Sequence, residues 1–148
     1  MNRVVSMVHR YRGGHVPAAD GSAPDGERLA AACERAPAEV DQALEVGDFR
    51  RATAAVWSIV EEGNRYVEAV RPWELARVER AGEVAAGRRL DGALAVLVTA
   101  CQALAAELAP FLPSAAARIA AQCDAISGRL PAPEPLFQRL AAEVQAPA

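Results

Sequence analysis

The stretch Asp48-Phe49-Arg50-Arg51-Ala52-Thr53-Ala54-Ala55-Val56-Trp57-Ser58-Ile59-Val60-Glu61-Glu62-Gly63-Asn64-Arg65-Tyr66-Val67-Glu68-Ala69-Val70 decides the fold class. Phe49, Ala52, Val56, Ile59, Val60, Tyr66 and Val67 recur with the period of one helix face, and Arg50, Arg51, Glu61 and Glu62 fall on the other sides. Asp48, following Gly47, is a capping residue at the start. Pro72 ends the pattern and can open the next helix as its first residue. Trp57 is expected to pack into the core.

Working outward, the same periodicity recurs on both sides. From Met1 to about Tyr11, Val4, Met7, Val8 and Tyr11 are spaced i, i+3, i+4, i+7, and Gly13-Gly14 stops the helix. That helix has no visible N-cap, which leads to the expectation that it starts earlier in the natural chain. Residues 12–26, with Pro17 and Pro24, read as a surface loop. A helix from about Glu27 to Leu44 carries Pro37 in its interior. Beyond Pro72 a helix runs through Trp73, Leu75 and Ala76, and the charged, glycine-bearing stretch 81–88 reads as a turn.

A hydrophobic helix is expected from about Leu90 to Leu108, with Leu94, Leu97, Val98, Cys101 and Leu104 as its buried stripe. Pro110 and Pro113 flank a turn where Ser114 is placed to cap a last helix through Ile119 and Ile126. The tail from Pro131 to residue 148 is proline-rich, with a short helix expected near Phe137 to Val144. No run of β-branched residues alternates with polar ones. The expectation is all-α: one domain over residues 1–148, an antiparallel bundle of about five to six helices.

Composition agrees. Apolar residues make up 52% of the 148, but only 5% are aromatic, and alanine dominates the apolar count. Alanine favours helices and fills little volume, so closely approaching helices follow. All 16 cationic side chains are arginine, whose planar fork of donors suits phosphates and base edges. The net charge of -3 argues against a general nucleic-acid coat protein but leaves room for a local basic face. Arg3, His9, Arg10, Arg12 and His15 all precede the first acid, Asp20.

Cys33, Cys101 and Cys123 are widely spaced, form no CxxC pair and read as small buried hydrophobes in a reducing compartment, without a metal. The longest apolar stretch, residues 93–106, is interrupted by Thr99, Cys101 and Gln102 and is too short and mixed to span a membrane. With no signal-peptide pattern either, a cytoplasmic protein is expected. Phosphate-loop, HExxH, GxSxG and EF-hand patterns are absent. Glu61 and Glu62 are adjacent and point apart on a helix, so they form no acid–base pair. No catalytic residue is assigned.

Two segments carry a resemblance. Residues 2–14, Asn-Arg-Val-Val-Ser-Met-Val-His-Arg-Tyr-Arg-Gly-Gly, resemble the first helix of the anticodon-binding domain of bacterial methionyl-tRNA synthetases, class I enzymes. Asn64-Arg65-Tyr66-Val67, followed by Pro72-Trp73-Glu74-Leu75-Ala76-Arg77, is similar to that family's N-x-Y-[IV] and P-W-x-L-A-[KR] run. Leu108-Ala109-Pro110-Phe111-Leu112-Pro113, with Arg118-Ile119 and Gln122, looks like its helix-to-helix turn. Pro135-Leu136-Phe137 sits where the family carries P-L-F-P, with Gln138 in place of the second proline.

The resemblance implies a non-catalytic module that recognises the CAU anticodon of methionine tRNA in support of aminoacylation. Trp73 matches the family's base-stacking tryptophan. Asn2, Ser6 and Arg10, four apart on one stripe, match positions facing the anticodon, with His9 as a further contact. Ser6 is short for a direct base contact. No cofactor is implied for this chain: ATP and methionine would bind the family's catalytic domain, whose signatures the sequence lacks. The chain is then either a piece of a synthetase, working with a catalytic domain in cis or trans, or a free-standing copy. The alternative is a degenerate helical interaction or regulatory protein that no longer binds tRNA.

Overall fold

A computed structural model describes residues 2–18, 23 and 26–137. Within it six helices follow in order: α1 (Asn2–Arg12), α2 (Glu27–Glu45), α3 (Phe49–Val70), α4 (Pro72–Arg80), α5 (Val84–Leu108) and α6 (Pro113–Cys123). The expected bundle is present, and only isolated bridges join His15 and Ile126 to Arg129. The short helix expected near residues 137–144 lies outside the described residues.

Helix α5 is the axis of the bundle. Leu90, Ala93 and Leu94 are fully buried, and Val5, Val8, Leu29, Leu75 and Ile119 from the surrounding helices join the same cluster. It starts six residues earlier than the sequence suggests, because Gly87 is a packing position and not a turn. A Cβ there would lie 2.6 Å from Glu79 Oε1, so with glycine at this position the α4 carboxylate sits directly against α5, and a larger residue would make it shift. At 25 residues α5 is long and apolar enough to cross a membrane by length and composition, yet its buried residues are covered by other helices.

Helices α2 and α3 form the closest pair. Ala32, Ala36 and Ala43 on α2 and Ala52 and Ala55 on α3 are buried, and such small side chains let the backbones approach. Asp48 caps α3 through its carboxylate, which accepts from Arg51 N–H at 2.9 Å. Pro37 sits inside α2, where its ring removes the bond otherwise given to the Cys33 carbonyl.

Two aromatic side chains lie outside the core where the sequence led to the expectation of burial. Trp57 is 61% exposed and Phe49 66% exposed, not in the core. The inward face of α3 is Ala52, Ala55, Val56, Ile59, Tyr66 and Val67. Trp57 follows Val56 and so points about 100° away from that line. Phe49 occupies the first helical position, on the outer flank.

The C-terminal part also differs from expectation. The residue flanking α6 is Leu112, Pro113 takes the first position, and Ser114 makes no capping bond because it already lies within the helix. Helix α6 stops at Cys123, and Ile126 is 73% exposed in the turn that follows. The chain then runs back along α6. The Gln122 amide donates to the Glu134 carbonyl at 2.8 Å and accepts from Glu134 N–H at 3.3 Å, while Arg118 donates to the Leu136 carbonyl at 2.6 Å.

Cys101 and Cys123 are buried and Cys33 half-buried, all as thiols. Contact between the Cys101 and Cys123 thiols raises the Cys123 pKa and lowers that of Cys101. Burial raises Cys33. Neutral thiols behave as small hydrophobes in such surroundings.

Candidate nucleic-acid interface

Helix α4 begins at an unusual joint. Arg71 ends α3 and precedes α4 with φ +49°, a left-handed conformation uncommon outside glycine. Its N–H donates to the Val67 carbonyl at 3.0 Å, closing α3, and its carbonyl accepts from Glu74 N–H at 2.8 Å, opening α4. Pro72 is buried at the first position of α4. The joint therefore holds Trp73 at the outer start of a rigid helix, where it remains 38% exposed.

Helix α1 lies beside α4 and runs in the same direction. At its N-terminal end the Arg3 guanidinium carbon lies 5.0 Å from the Trp73 ring centroid, within cation–π range. At its C-terminal end Arg12 joins three helices. It pairs with Glu79 of α4 at 3.0 Å and with Asp91 of α5, and it donates to the Gly87 carbonyl at 3.3 Å. These bonds outweigh partial burial and raise the Arg12 pKa, so the cation is fixed at every accessible pH. Arg12 neutralises two carboxylates that would otherwise face this edge.

The residues expected from the sequence distribute unevenly. Asn2, Ser6 and Arg10 are all exposed on α1. Arg10 belongs to the flank that faces α4, where Arg10, Tyr11, Arg12, Ala76, Glu79 and Arg80 line a cavity of about 160 Å³. Ser6 lies beside that flank, and Asn2 is turned further away from α4. His9 stands on the opposite side and is half-buried. Its Nε2 is 2.8 Å from the Pro131 carbonyl, which ties α1 to the C-terminal segment. The same junction needs Gly14, whose φ is +90° and where a Cβ would lie 2.8 Å from the His9 ring.

Arg3, part of the basic cluster before Asp20, joins the site although it lies off the Asn2–Ser6–Arg10 stripe expected from the sequence. The signal was available: Arg3 and Arg10 are seven apart, two full turns, and share a stripe more nearly than residues four apart do. The choice needed the position of α4, which periodicity in α1 alone does not give.

Other cavities have different chemistry. The one of about 590 Å³ between α5 and α6 is lined mainly by alanines, among them Ala105, Ala109, Ala116 and Ala120. Among the described residues, no group of three or more His, Cys, Asp and Glu side chains could hold a metal ion. At the α1–α4 edge, by contrast, the partly exposed Trp73 ring lies under Arg3, and Arg10, Arg12 and Arg80 line the neighbouring cavity.

Comparison with known proteins agrees with this architecture. Residues 16–144 match the family described as the anticodon binding domain of methionyl tRNA ligase, a span that begins just after α1. Methionine–tRNA ligase of Streptococcus pyogenes serotype M3 is 32% identical over 124 residues, which is 82% of this chain and 18% of that protein. Methionine–tRNA ligase 1 of Bacillus cereus is 29% identical over 123 residues, again 82% and 18%. The chain thus spans under a fifth of the length of these relatives. In crystal structures of Mycobacterium tuberculosis methionyl-tRNA synthetase, the free form superposes with a TM-score of 0.83, covering 94% of this chain and 30% of that one. The form bound by methionyl-adenylate superposes at 0.82, covering 92% and 29%. Both are 22% identical to this chain and establish the shared fold. The chain belongs to the family of anticodon-binding domains of methionyl-tRNA ligases.

Proposed function

We propose that this domain recognises the CAU anticodon of methionine tRNA, with Trp73 as the stacking platform and Arg3, Asn2, Ser6 and Arg10 as flanking polar contacts. The observation that carries the reading is Trp73 itself: a rigidly mounted, partly exposed indole with a guanidinium over its ring. Most tryptophans bury their ring surface, and a ring held at the surface by a helix start is available to another planar group. An unpaired anticodon base offers such a plane, and stacking contributes about 1–3 kcal/mol per base. Arg3, over one face of the ring, adds a donor fork for base edges or phosphate and leaves the other face for stacking. His9 is left out of the base contacts because its ring is engaged with Pro131.

The domain is non-catalytic by itself in this reading. ATP and methionine are handled by a synthetase catalytic domain, in cis or in trans, and anticodon binding supports aminoacylation by selecting which tRNA reaches it. A cytoplasmic setting goes with that role.

The test is a comparison of two RNA hairpins, one carrying CAU and one a scrambled loop, titrated against the full chain. The CAU hairpin should bind more tightly, and Trp73→Ala or Arg3→Ala should remove most of that preference. Equal binding of both hairpins by the unaltered protein would instead favour a helical interaction module that no longer reads tRNA.

A further inference from the structure

Trp73 and Arg3 mark one end of the α1–α4 edge, and the other end is also built for a polyanion. On α4, Arg77 and Arg80 follow Trp73 by four and seven residues, so they continue its stripe about 6 and 10 Å further along the axis. On α1, Arg10 follows Arg3 by two turns. Arg10 and Arg80 both line the cavity of about 160 Å³ between the helices, Arg10 with its guanidinium over the Tyr11 ring and Arg80 donating from Nε to the Ala76 carbonyl at 3.1 Å. None of Arg3, Arg10, Arg77 and Arg80 makes an ion pair among the described residues, whereas Arg12, Arg35, Arg65 and Arg71 are each paired with a carboxylate. The acids that approach the edge, Glu79 and Asp91, are both engaged by Arg12.

We infer that the RNA strand leaving the base on Trp73 runs along the α1–α4 edge toward the helix C-termini, its phosphates meeting Arg77 and then the Arg10–Arg80 pair. This rests on the anticodon-binding reading and adds a direction and a second contact zone to it. The length fits: about 10 Å corresponds to roughly three nucleotides of a stacked strand, at about 3.4 Å each. The chemistry fits as well, since guanidinium forks grip phosphate oxygens without regard to base. Arg10 thereby becomes a backbone contact and not a base reader.

The alternative for Arg10, Arg77 and Arg80 is that they only offset the negative C-terminal ends of α1 and α4. Salt dependence separates the two. Arg10→Gln, Arg80→Gln and the double variant would be titrated with the CAU and scrambled hairpins across a range of salt, with Arg35→Gln on α2 as control. Phosphate contacts predict a similar fold-loss for both hairpins and a salt slope reduced by about 1 for each arginine removed. Circular dichroism and the unchanged Arg35→Gln variant establish that the fold is intact. An unchanged slope, or a loss confined to the CAU hairpin, overturns the proposed track while leaving anticodon recognition standing. Failure of the unaltered protein to prefer CAU overturns the reading beneath it.

Discussion

The α2–α3 hairpin and the α1–α4 edge each carry a tryptophan at the surface, and they are built in opposite ways. In the hairpin, small buried residues bring two long helices together, and Trp57 projects from the outer flank at 61% exposure. At the edge, two short helices leave a gap of about 160 Å³ that long polar side chains bridge, and Trp73 is held under Arg3. Exposure is therefore not what distinguishes the candidate site, since Trp57 is the more exposed of the two. What distinguishes it is the combination of a fixed backbone joint at Arg71–Pro72 with the Arg3 guanidinium over the ring.

The comparison makes packing and binding separable. Leu29 of α2 is 1% exposed and reaches the central cluster. Leu29→Ala should lower unfolding free energy by about 2–5 kcal/mol, measured by urea denaturation. The protein that remains folded should bind the CAU hairpin as before; a parallel loss of affinity per folded molecule would mean the two regions are coupled. In the other direction, Trp73→Ala should weaken hairpin binding by about 1–3 kcal/mol, roughly 5- to 150-fold, with little change in the denaturation midpoint. Trp57→Ala, by anisotropy titration of the same hairpin, should stay within about two-fold. If both substitutions weaken binding equally, the distinction between the two surfaces collapses.

How much of this was legible in the sequence follows from the same contrast. Helix periods, the Asp48 cap and the Gly13-Gly14 stop are local properties, and they appear where the residues place them. Gly87 was misread because a glycine among charges looks like a turn, while its real partner, Glu79, comes from another helix. Trp57 was misplaced because side-chain size suggested burial, whereas close approach of α2 favours alanine at the contact. In the site, Trp73 was readable from the Pro-Trp run. Arg3 and the Arg12 junction needed the relative placement of α1, α4 and α5, which no single helix encodes.

The Asp48 cap offers a smaller test on the hairpin side. Asp48→Ala removes the acceptor for Arg51 N–H and should cost about 1 kcal/mol of stability. Asp48→Ser should recover most of it, because a hydroxyl can accept the same bond. Neither change should alter hairpin-RNA affinity, since α3 begins far from the α1–α4 edge along the chain. A cap variant that lost RNA binding without losing stability would place the α3 start in the interface.

A carboxyl of α5 beside the hairpin gives the smallest effect. Glu107 of α5 has its pKa raised, first by partial burial and then by the nearby charge of Asp41 on α2. A carboxyl whose folded pKa exceeds its unfolded value binds its proton more tightly when folded. The stability gained from protonation is therefore present at acid pH and lost as pH rises through the folded value. At neutral pH the charged Glu107 is a liability that Glu107→Gln relieves. The Gln variant should unfold at a slightly higher temperature than the unaltered protein at pH 7. The difference should shrink below pH about 4, where an ordinary glutamate is itself protonated. Asp41→Asn should give the smaller part of that gain, because burial is the larger cause and stays in place. A gain from Glu107→Gln that is equal at both pH values would assign it to packing instead of charge.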